Sequence, residues 1–235
     1  QRVRLLLNPC AEIVLRDSQC CNLSIVVCRY NDTKESLRKK VRLATIWGTL
    51  QSTLTDYQYV RPLWKFNNEE ERLLGVDLNG QMDCPLLRYG ASGRAQLLQL
   101  LKNDVLEVNA EFADLLGINR TAAATTGKPS GNSGQFFQCS SGVHTRYAKY
   151  QIRRFRAGIP SNDPLTKFMI DQGVNATVDP FNPVLTVLDM LPEPAPEGTP
   201  CRNDLTALQQ LEYWLETKEN WAEHSISCTI YVEPN

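Results

Sequence analysis

The chain has 235 residues, of which 42% are hydrophobic, and its formal net charge at pH 7 is −1. This length and apolar content suffice for one large domain or for part of a larger one. The near-neutral charge gives no basic field that would attract nucleic acid, and no apolar run approaches the roughly 20 residues of a membrane span. We therefore expect a cytoplasmic protein that binds neither nucleic acid nor membrane.

The eight cysteines form no recognisable disulfide or metal-binding pattern. A chain of this length with periodic apolar segments does not need a disulfide framework to be stable. There is no C-x-x-C, and the two histidines, His144 and His224, are far apart in the sequence. We therefore predict no metal site.

The first part of the chain predicts two strands and a long helix. The apolar runs at residues 3–7 and 23–28 are typical of short strands. N-cap residues at 31–33 then precede an amphipathic helix that extends to about residue 57. Its apolar stripe consists of Leu37, Val41, Ala44, Trp47, Leu50 and Leu54. Its solvated face is expected to carry Lys34, Arg38, Lys39, Lys40 and Arg42.

The middle of the chain predicts a short acidic helix at 67–73, a strand at 75–80 and a second long helix. Gly117 is the expected C-cap of that helix. Its apolar stripe consists of Leu97, Leu101, Val105, Val108, Phe112 and Leu115. A β-compatible segment, 121–126, leads into a loop punctuated by glycines, and residues 135–141 are expected to begin a helix.

The last part of the chain continues the alternation of strands and helices. We predict strands at 151–156, 183–190 and 225–232, a helix at 163–172, and a helix that Asn203 caps. The apolar stripe of the capped helix consists of Leu205, Leu208, Leu211 and Leu215. Such alternation predicts an α/β architecture with parallel strand pairing.

Two cysteine motifs follow the first predicted strand: N-P-C-A-E at residues 8–12 and C-C-N-L at 20–23. If the first is extended, Asn8, Cys10 and Glu12 lie on one side. A carboxylate beside a thiol disfavours the thiolate, which suits hydrogen-atom transfer from a neutral S–H. Two alternatives are that Cys10 is a small buried hydrophobe in a turn and that Cys10 and His144 form a thiol hydrolase site.

The loop K-P-S-G-N-S-G-Q at residues 128–135 is rich in small residues that let a phosphate approach backbone N–H groups. An ordinary turn is the alternative. Ser130, Asn132 and Ser133 would add side-chain donors, and Lys128 is either a charged ligand or solvated. Downstream arginines are either phosphate ligands or members of salt bridges, and we favour salt bridges. These arginines are Arg146, Arg153 and Arg154.

In this order, the motifs resemble those of ribonucleotide reductases. N-P-C-x-E-I followed by C-N-L is similar to the catalytic finger loop of that family, and residues 128–135 are similar to its substrate-phosphate loop. The segments C-S-S-G-V-H-T-R-Y at 139–147 and Y-Q-I-R-R at 150–154 resemble the monomeric, adenosylcobalamin-dependent branch that reduces triphosphates.

The resemblance implies a fold and a function. The family's core is a ten-stranded α/β barrel, of which residues 1–235 would supply about half, with the finger loop at 1–22 and the phosphate loop at 127–135. The implied function is radical-based reduction of ribonucleotides, with triphosphates expected, to deoxyribonucleotides for DNA synthesis. The alternative is a nucleotide-phosphate-binding fragment without turnover of its own.

The resemblance also implies roles for individual residues. Cys10 would carry the thiyl radical, Glu12 would be the base, and Asn8 would bind the ribose hydroxyls. Cys21 would be one half of the reducing dithiol, with Cys20 pointing to the opposite face. The phosphate-binding residues would be Pro129, Ser130, Gly131, Asn132, Ser133 and Gly134. We expect structural roles for Cys28, Cys84, Cys139, Cys201 and Cys228.

The implied partners are a ribonucleotide, the N-terminal portion of the same enzyme and a thioredoxin-like reductant. In the family, the thiol that pairs with Cys21 lies in that N-terminal portion. Because Gln1 lies so near the finger loop, we expect a split-gene product, a processed product or a trimmed chain that is active only with the N-terminal portion. Adenosylcobalamin is the implied cofactor, and a radical-generating partner subunit is the alternative, because no residue pattern identifies a cobalamin site.

Overall fold

A computed structural model describes residues 5–160 and 163–232 of the chain. Two compact units are present, Gln1–Arg146 together with Pro196–Asn235, and Tyr147–Ala195. Residues 1–4, which begin the predicted finger loop, lie outside the described residues. The prediction that residues 1–235 form one portion of a barrel stays a prediction.

The first unit is built on a short hairpin and a parallel sheet. Strands β1 (Leu5–Leu7) and β2 (Val14–Arg16) pair antiparallel. Strands β3 (Asn22–Val27), β4 (Leu74–Asn79) and β5 (Thr125–Thr126) pair in parallel, with β4 in the centre. The predicted strands at 23–28 and 75–80 are therefore confirmed, each to within a residue.

Four helices of this unit connect or follow these strands. They are α1 (Lys34–Gln51), α2 (Leu63–Glu71), α3 (Arg94–Leu116) and α4 (Asn132–Phe136). Thr33 caps α1 in a capping box, and Gly117 ends α3 in the left-handed region at φ 65°, as predicted. Helix α2 begins at Leu63 rather than residue 67. Helix α4 begins before residue 135, where we predicted a helix.

The two faces of β4 have different surroundings. Leu74, Val76 and Leu78 are completely buried in an apolar core that includes residues of α1 and α3. Because successive side chains of a strand point to opposite faces, the intervening residues point away from that core. These are Gly75, Asp77 and Asn79. Strand β4 thus separates a hydrophobic layer from a polar one.

The apolar stripe predicted for α1 is wrong in its second half. Leu37 and Val41 are buried, but Trp47 is 69% exposed, and the helix buries Thr45 and Gly48 instead. A Cβ at Gly48 would lie 3.5 Å from Leu74 Cδ2 and 3.7 Å from Ser24 Oγ, so a small residue is needed where the helix crosses the sheet. Large side chains therefore turn outward.

The basic face of α1 is also more structured than predicted. The Arg38 guanidinium binds Asp104 on α3 at 2.7 Å, and Arg42 binds Glu111 at 3.0 Å. Lys40 binds Asp32 at 2.6 Å. These pairs join α1 to α3 and to the loop before α1.

The second unit contains β6 (Arg153–Pro160), α5 (Pro164–Asp171), β7 (Ala176–Val178) and β8 (Leu185–Met190). Its strands pair antiparallel in the order β6-β8-β7, so the prediction of parallel pairing is wrong here. The β7–β8 connection is far shorter than the crossover of a dozen or more residues that parallel strands need. Helix α5 is as predicted, and the three-residue β7 was missed.

Helix α6 (Ala207–Asn220) returns to the first unit and corrects two predictions. Its N-cap is Thr206 in a capping box with Gln209, not Asn203. Its leucines Leu208, Leu211 and Leu215 are exposed, and the buried residues are Gln210, Tyr213 and Thr217. The predicted strand at 225–232 is reduced to one parallel bridge between residues 127 and 226.

The polar inner face of α6 is explained by Arg94, the first residue of α3, which is only 1% exposed. The guanidinium carbon lies 3.8 Å from the centre of the Tyr213 ring. Its hydrogen-bond partners are the Leu87 carbonyl, Gln81, Glu216 and Thr217. One buried cation thus joins α3, α6 and the segment after β4. No helix among the described residues has the length and hydropathy to cross a membrane.

We expect Arg94→Ala to lower the free energy of unfolding by about 3–5 kcal/mol, because it leaves several buried acceptors without their donor. Urea denaturation followed by intrinsic fluorescence measures this loss. The matched control is Arg120→Ala, which removes a solvent-exposed pair with Asp114 and should lower the free energy of unfolding far less than Arg94→Ala does. Equal losses in the two variants would contradict the role given to Arg94.

Candidate functional site

The N-P-C-A-E motif forms the tight turn between β1 and β2. The Asn8 side chain accepts a hydrogen bond from Ile13 N at 3.0 Å, and the Asn8 carbonyl accepts one from Ala11 N at 2.9 Å. Ala11 has φ 60°, so the segment is not extended. The extended conformation from which we inferred a shared side for Asn8, Cys10 and Glu12 is therefore wrong, and the turn leaves Cys10 exposed and Glu12 only 1% exposed.

Glu12 fastens this turn to the parallel sheet. Its carbonyl oxygen accepts hydrogen bonds from Thr126 Oγ1 at 3.1 Å and from Ser225 N at 2.9 Å. Its carboxylate is buried, and Oε2 has no hydrogen-bond partner among the described residues. A buried polar atom of this kind normally has a partner, so Oε2 is available to a group that the chain does not itself provide.

Cys21 lies beside Gly75, on the polar side of β4. A Cβ at Gly75 would lie 3.1 Å from Cys21 Sγ, 3.4 Å from Ile13 Cδ1 and 2.4 Å from Leu23 Cδ2. We call β1, β2 and the turn between them the finger hairpin. The absence of a side chain at Gly75 leaves the space that the Cys21 thiol and this finger hairpin fill. Burial, and then the charges of Cys20 and Glu12, raise the pKa of the Cys21 thiol far above its ordinary value.

Cys20 faces a different part of the molecule. Its sulfur lies 3.1 Å from Asn68 Oδ1 and 3.4 Å from the Tyr57 hydroxyl. The two adjacent cysteines therefore have separate surroundings, as the alternation of strand side chains predicts.

Asp77 is a site residue that the motifs did not indicate. Its Oδ1 accepts a hydrogen bond from Lys128 N at 2.8 Å, and its Oδ2 accepts one from Asn79 Nδ2 at 2.8 Å. Burial raises the pKa of this carboxyl to about 7, with Glu12 adding to the rise and the Lys128 hydrogen bond opposing it. The only signal in the sequence was a charged residue within the apolar strand at 75–80.

The predicted phosphate loop starts where β5 ends, so it lies next to Asp77. A second segment supports it from behind. Ser130 N donates to Ser141 Oγ at 2.8 Å, and Gly142 N donates to Asn79 Oδ1 at 2.7 Å. A Cβ at Gly142 would lie 2.5 Å from the Lys128 carbonyl oxygen, so the two backbones touch.

Within the loop, the two serines have different surroundings. Ser133 Oγ donates to the Ser130 carbonyl at 2.6 Å, so it is already used within the loop. Ser130 is buried beneath Gly134, and its Oγ has no hydrogen-bond partner among the described residues. Asn132 is exposed. Among the described residues, the backbone N–H groups of Gly131 and Asn132 have no partner. These two N–H groups, the Asn132 side chain and the Ser130 hydroxyl are donors that the loop offers.

A buried ion pair anchors the supporting segment. The Arg146 guanidinium contacts both carboxylate oxygens of Asp83, at 3.0 and 2.9 Å, and Ser140 N donates to the same carboxylate. Arg154 pairs with Asp189 at 3.1 Å. The preference for salt bridges over phosphate contacts is therefore confirmed for Arg146 and Arg154.

The thiol hydrolase alternative is not supported by the position of His144. Its Nδ1 lies 2.8 Å from the Ser141 carbonyl, and its Nε2 accepts a hydrogen bond from Thr229 N at 2.9 Å. Burial lowers the pKa of this imidazole. Both ring nitrogens are thus committed to backbone groups. Among the described residues, no cluster of three or more histidine, cysteine or acidic side chains could hold a metal ion.

Comparison with known proteins gave similar sequences along nearly the whole chain, although no family model matches. An adenosylcobalamin-dependent ribonucleoside-triphosphate reductase of Lacticaseibacillus paracasei is 24% identical over 97% of this chain and 33% of the relative. A probable reductase of the same description from Dictyostelium discoideum is 24% identical over 97% of this chain and 29% of the relative.

A crystal structure of a B12-dependent (class II) ribonucleotide reductase matches with a TM-score of 0.82 and 22% identity, over 95% of this chain and 34% of that one. These findings confirm the resemblance and the α/β fold class, and the match to a third of that structure is consistent with a part of its barrel. The chain spans about a third of the length of the curated relatives it matches.

The different surroundings of the cysteines predict different reactivity. At neutral pH, iodoacetamide should modify the exposed Cys10 at least about tenfold faster than Cys21, because burial and a raised pKa keep Cys21 as a covered thiol. Mass spectrometry of peptides from timed reactions measures both rates. Cys139 is the internal reference for a protected thiol, because burial raises its pKa to about 11. Rapid modification of Cys21 would contradict this geometry.

Proposed function

We propose that this chain carries the radical-forming cysteine and the phosphate-binding loop of an adenosylcobalamin-dependent ribonucleoside-triphosphate reductase. The observation that supports this most is the shared face of β4. There the finger hairpin, the Cys21 thiol beside Gly75 and the loop that starts at Lys128 lie around one strand. Such a reductase is expected in the cytoplasm, where it would supply deoxyribonucleotides for DNA synthesis.

Cys10 begins the reaction in this proposal. Its thiol lies exposed at the tip of the hairpin, where a radical generator outside the described residues can reach it. Losing a hydrogen atom from S–H leaves a thiyl radical without any change of charge. That radical then takes the 3′-hydrogen atom of the ribose, and the reformed S–H returns a hydrogen atom at the end.

Glu12 is the base that takes the proton of the 3′-hydroxyl. A ribose hydroxyl would complete the hydrogen bonding of Oε2, the buried carboxylate oxygen that lacks a partner. Asn8 holds the turn, since its side chain is bound to Ile13 N. Asn8 was also predicted to bind the ribose directly. Because its Oδ1 already accepts from Ile13 N, it would bind the ribose through its side-chain N–H groups.

Cys21 supplies one of the two hydrogen equivalents that the reaction needs. The 2′-hydroxyl leaves as water, the 2′-carbon gains hydrogen, and two thiols become a disulfide, which balances the two electrons. The second thiol belongs to the N-terminal portion of the enzyme, and a thioredoxin-like dithiol then reduces the disulfide. The high pKa of Cys21 keeps its proton available for transfer at neutral pH.

The cofactor fits this chain at one point, the exposed thiol of Cys10. When bound, adenosylcobalamin supplies a carbon radical by homolysis of its cobalt–carbon bond. Residues that hold the cofactor would come from the rest of the enzyme.

Two cysteine variants test the division of roles in the complete enzyme. Cys10→Ser should abolish hydrogen-atom abstraction, because an alcohol O–H bond is stronger than a thiol S–H bond. Cys21→Ser should allow abstraction but stop product formation that depends on the dithiol. Exchange of the substrate's 3′-hydrogen and product yield are the two measurements. Loss of both activities in both variants would contradict the assignment.

A glycine variant tests the phosphate loop. Gly131 has φ 52° and no atom within 4 Å of a Cβ position, so Gly131→Val strains the backbone by about 1–3 kcal/mol without a side-chain clash. We expect nucleotide affinity to fall about tenfold or more in equilibrium titrations, because the free N–H groups of residues 131 and 132 would turn away.

The matched control is Gly117→Val, at φ 65° and equally open, which strains the end of α3 outside the loop. It should leave nucleotide affinity unchanged. If Gly131→Val also binds as well as the unmodified protein, this loop is not the phosphate site. Nucleotide binding without any turnover in the complete enzyme would leave only the alternative of a binding fragment.

A further inference from the structure

We propose that Asp77 is a positioning residue that holds the phosphate loop in its binding shape and whose negative charge, when present, opposes phosphate binding. This inference rests on the proposed function and assigns a role to a residue outside the finger loop and the phosphate loop. Its basis is a chain of three hydrogen bonds on the polar face of β4.

The three hydrogen bonds connect the start of the loop to the segment behind it. Lys128 N, at the start of the loop, donates to Asp77 Oδ1. Asn79 Nδ2 donates to Asp77 Oδ2, and Asn79 Oδ1 accepts from Gly142 N, in the segment behind the loop. Asp77 and Asn79 therefore act as a clamp between residues 128 and 142, which are in backbone contact.

The clamp requires an acceptor at each oxygen of residue 77. Gly142 N fixes the orientation of the Asn79 amide, so Asn79 presents N–H to Asp77. An asparagine at position 77 would direct its own NH2 group at one of two donors, Lys128 N or Asn79 Nδ2. A protonated aspartic acid keeps an acceptor lone pair on each oxygen, so protonation removes the charge without breaking the clamp.

Four titratable groups from the surrounding elements interact with Asp77. They are Glu12 on the finger hairpin, Lys128 on the phosphate loop, Cys28 after β3 and Cys139 after α4. Lys128 is the one cation of this set, and it is partly exposed. The charge of Lys128 lowers the pKa of Asp77, and the smaller effect of Glu12 raises it.

Asp77 therefore changes its charge beside the loop at which phosphate would bind. Because the pKa of Asp77 is raised to about 7, the group is neutral at lower pH and anionic at higher pH. An anion bonded to the first N–H of the loop repels a polyphosphate through a partly buried medium. Phosphate affinity should accordingly fall as the pH rises through the pKa of Asp77.

The first test needs no ligand. In ¹⁵N–¹H spectra of the unmodified protein, the chemical shift of the Lys128 amide should change with pH. The midpoint of this change should match an Asp77 pKa of about 7. The same amide should lose this transition in Asp77→Asn. A Lys128 amide that does not titrate in the unmodified protein would overturn the proposal.

The second test measures binding of ATP and of inorganic tripolyphosphate at about pH 6 and about pH 8. The loss of affinity between these two pH values should be about tenfold larger in the unmodified protein than in Asp77→Asn. Tripolyphosphate separates the phosphate contribution from the nucleoside. The matched control is Asp104→Asn, which removes a carboxylate paired with Arg38 on the helix side and should keep the full pH dependence.

The outcomes separate this inference from the proposed function. If neither ligand binds the unmodified protein, the assignment of residues 127–135 as a phosphate-binding loop is wrong, and the proposed function loses its phosphate site. If both ligands bind with the same pH dependence in Asp77→Asn as in the unmodified protein, the loop stands and the role of Asp77 is refuted. Equal pH dependence in the unmodified protein, Asp77→Asn and Asp104→Asn would likewise refute the role of Asp77.

Discussion

The structure depends on the contact between Gly75 and the finger hairpin. A methyl group at this position would meet Leu23 and Cys21 well inside van der Waals distance. The missing side chain lets the hairpin lie against the centre of the parallel sheet, and the sheet then fixes the hairpin through the Glu12 carbonyl. A tight turn with an exposed thiol at its tip is thereby held by a rigid, buried strand.

Strand β4 has an apolar environment on one face and a polar environment on the other. The leucine and valine face of β4 drives packing against the helices, at roughly 25 cal/mol for each Å² of apolar surface buried. Its other face holds a buried carboxyl group, Asp77, that burial disfavours in the ionised form. Such an arrangement costs stability, so a stable fold retains it only with compensating hydrogen bonds, here from Lys128 and Asn79.

Polar contacts of this kind recur wherever segments without regular structure meet the sheet. Asp83 and Arg146 hold the segment behind the phosphate loop, and Arg94 holds α6 against α3. In each case one buried charge satisfies several backbone or side-chain groups at once. The loops around β4 and the inner face of α6 are consequently ordered by specific hydrogen bonds, whereas the inner faces of α1 and α3 pack in the apolar core.

The sequence by itself determined the parallel strands β3 and β4, the caps at Thr33 and Gly117, and the order of the cysteine and phosphate-loop motifs, because these depend on neighbouring residues. Tertiary structure alone decided which face of α1 and α6 is buried, since α1 crosses the sheet at Gly48 and Arg94 of α3 binds α6. It also decided the attachment of Glu12 to Thr126 and the place of Asp77 beside Lys128. Those contacts join residues far apart in the chain, and no local pattern of spacing or propensity encodes them.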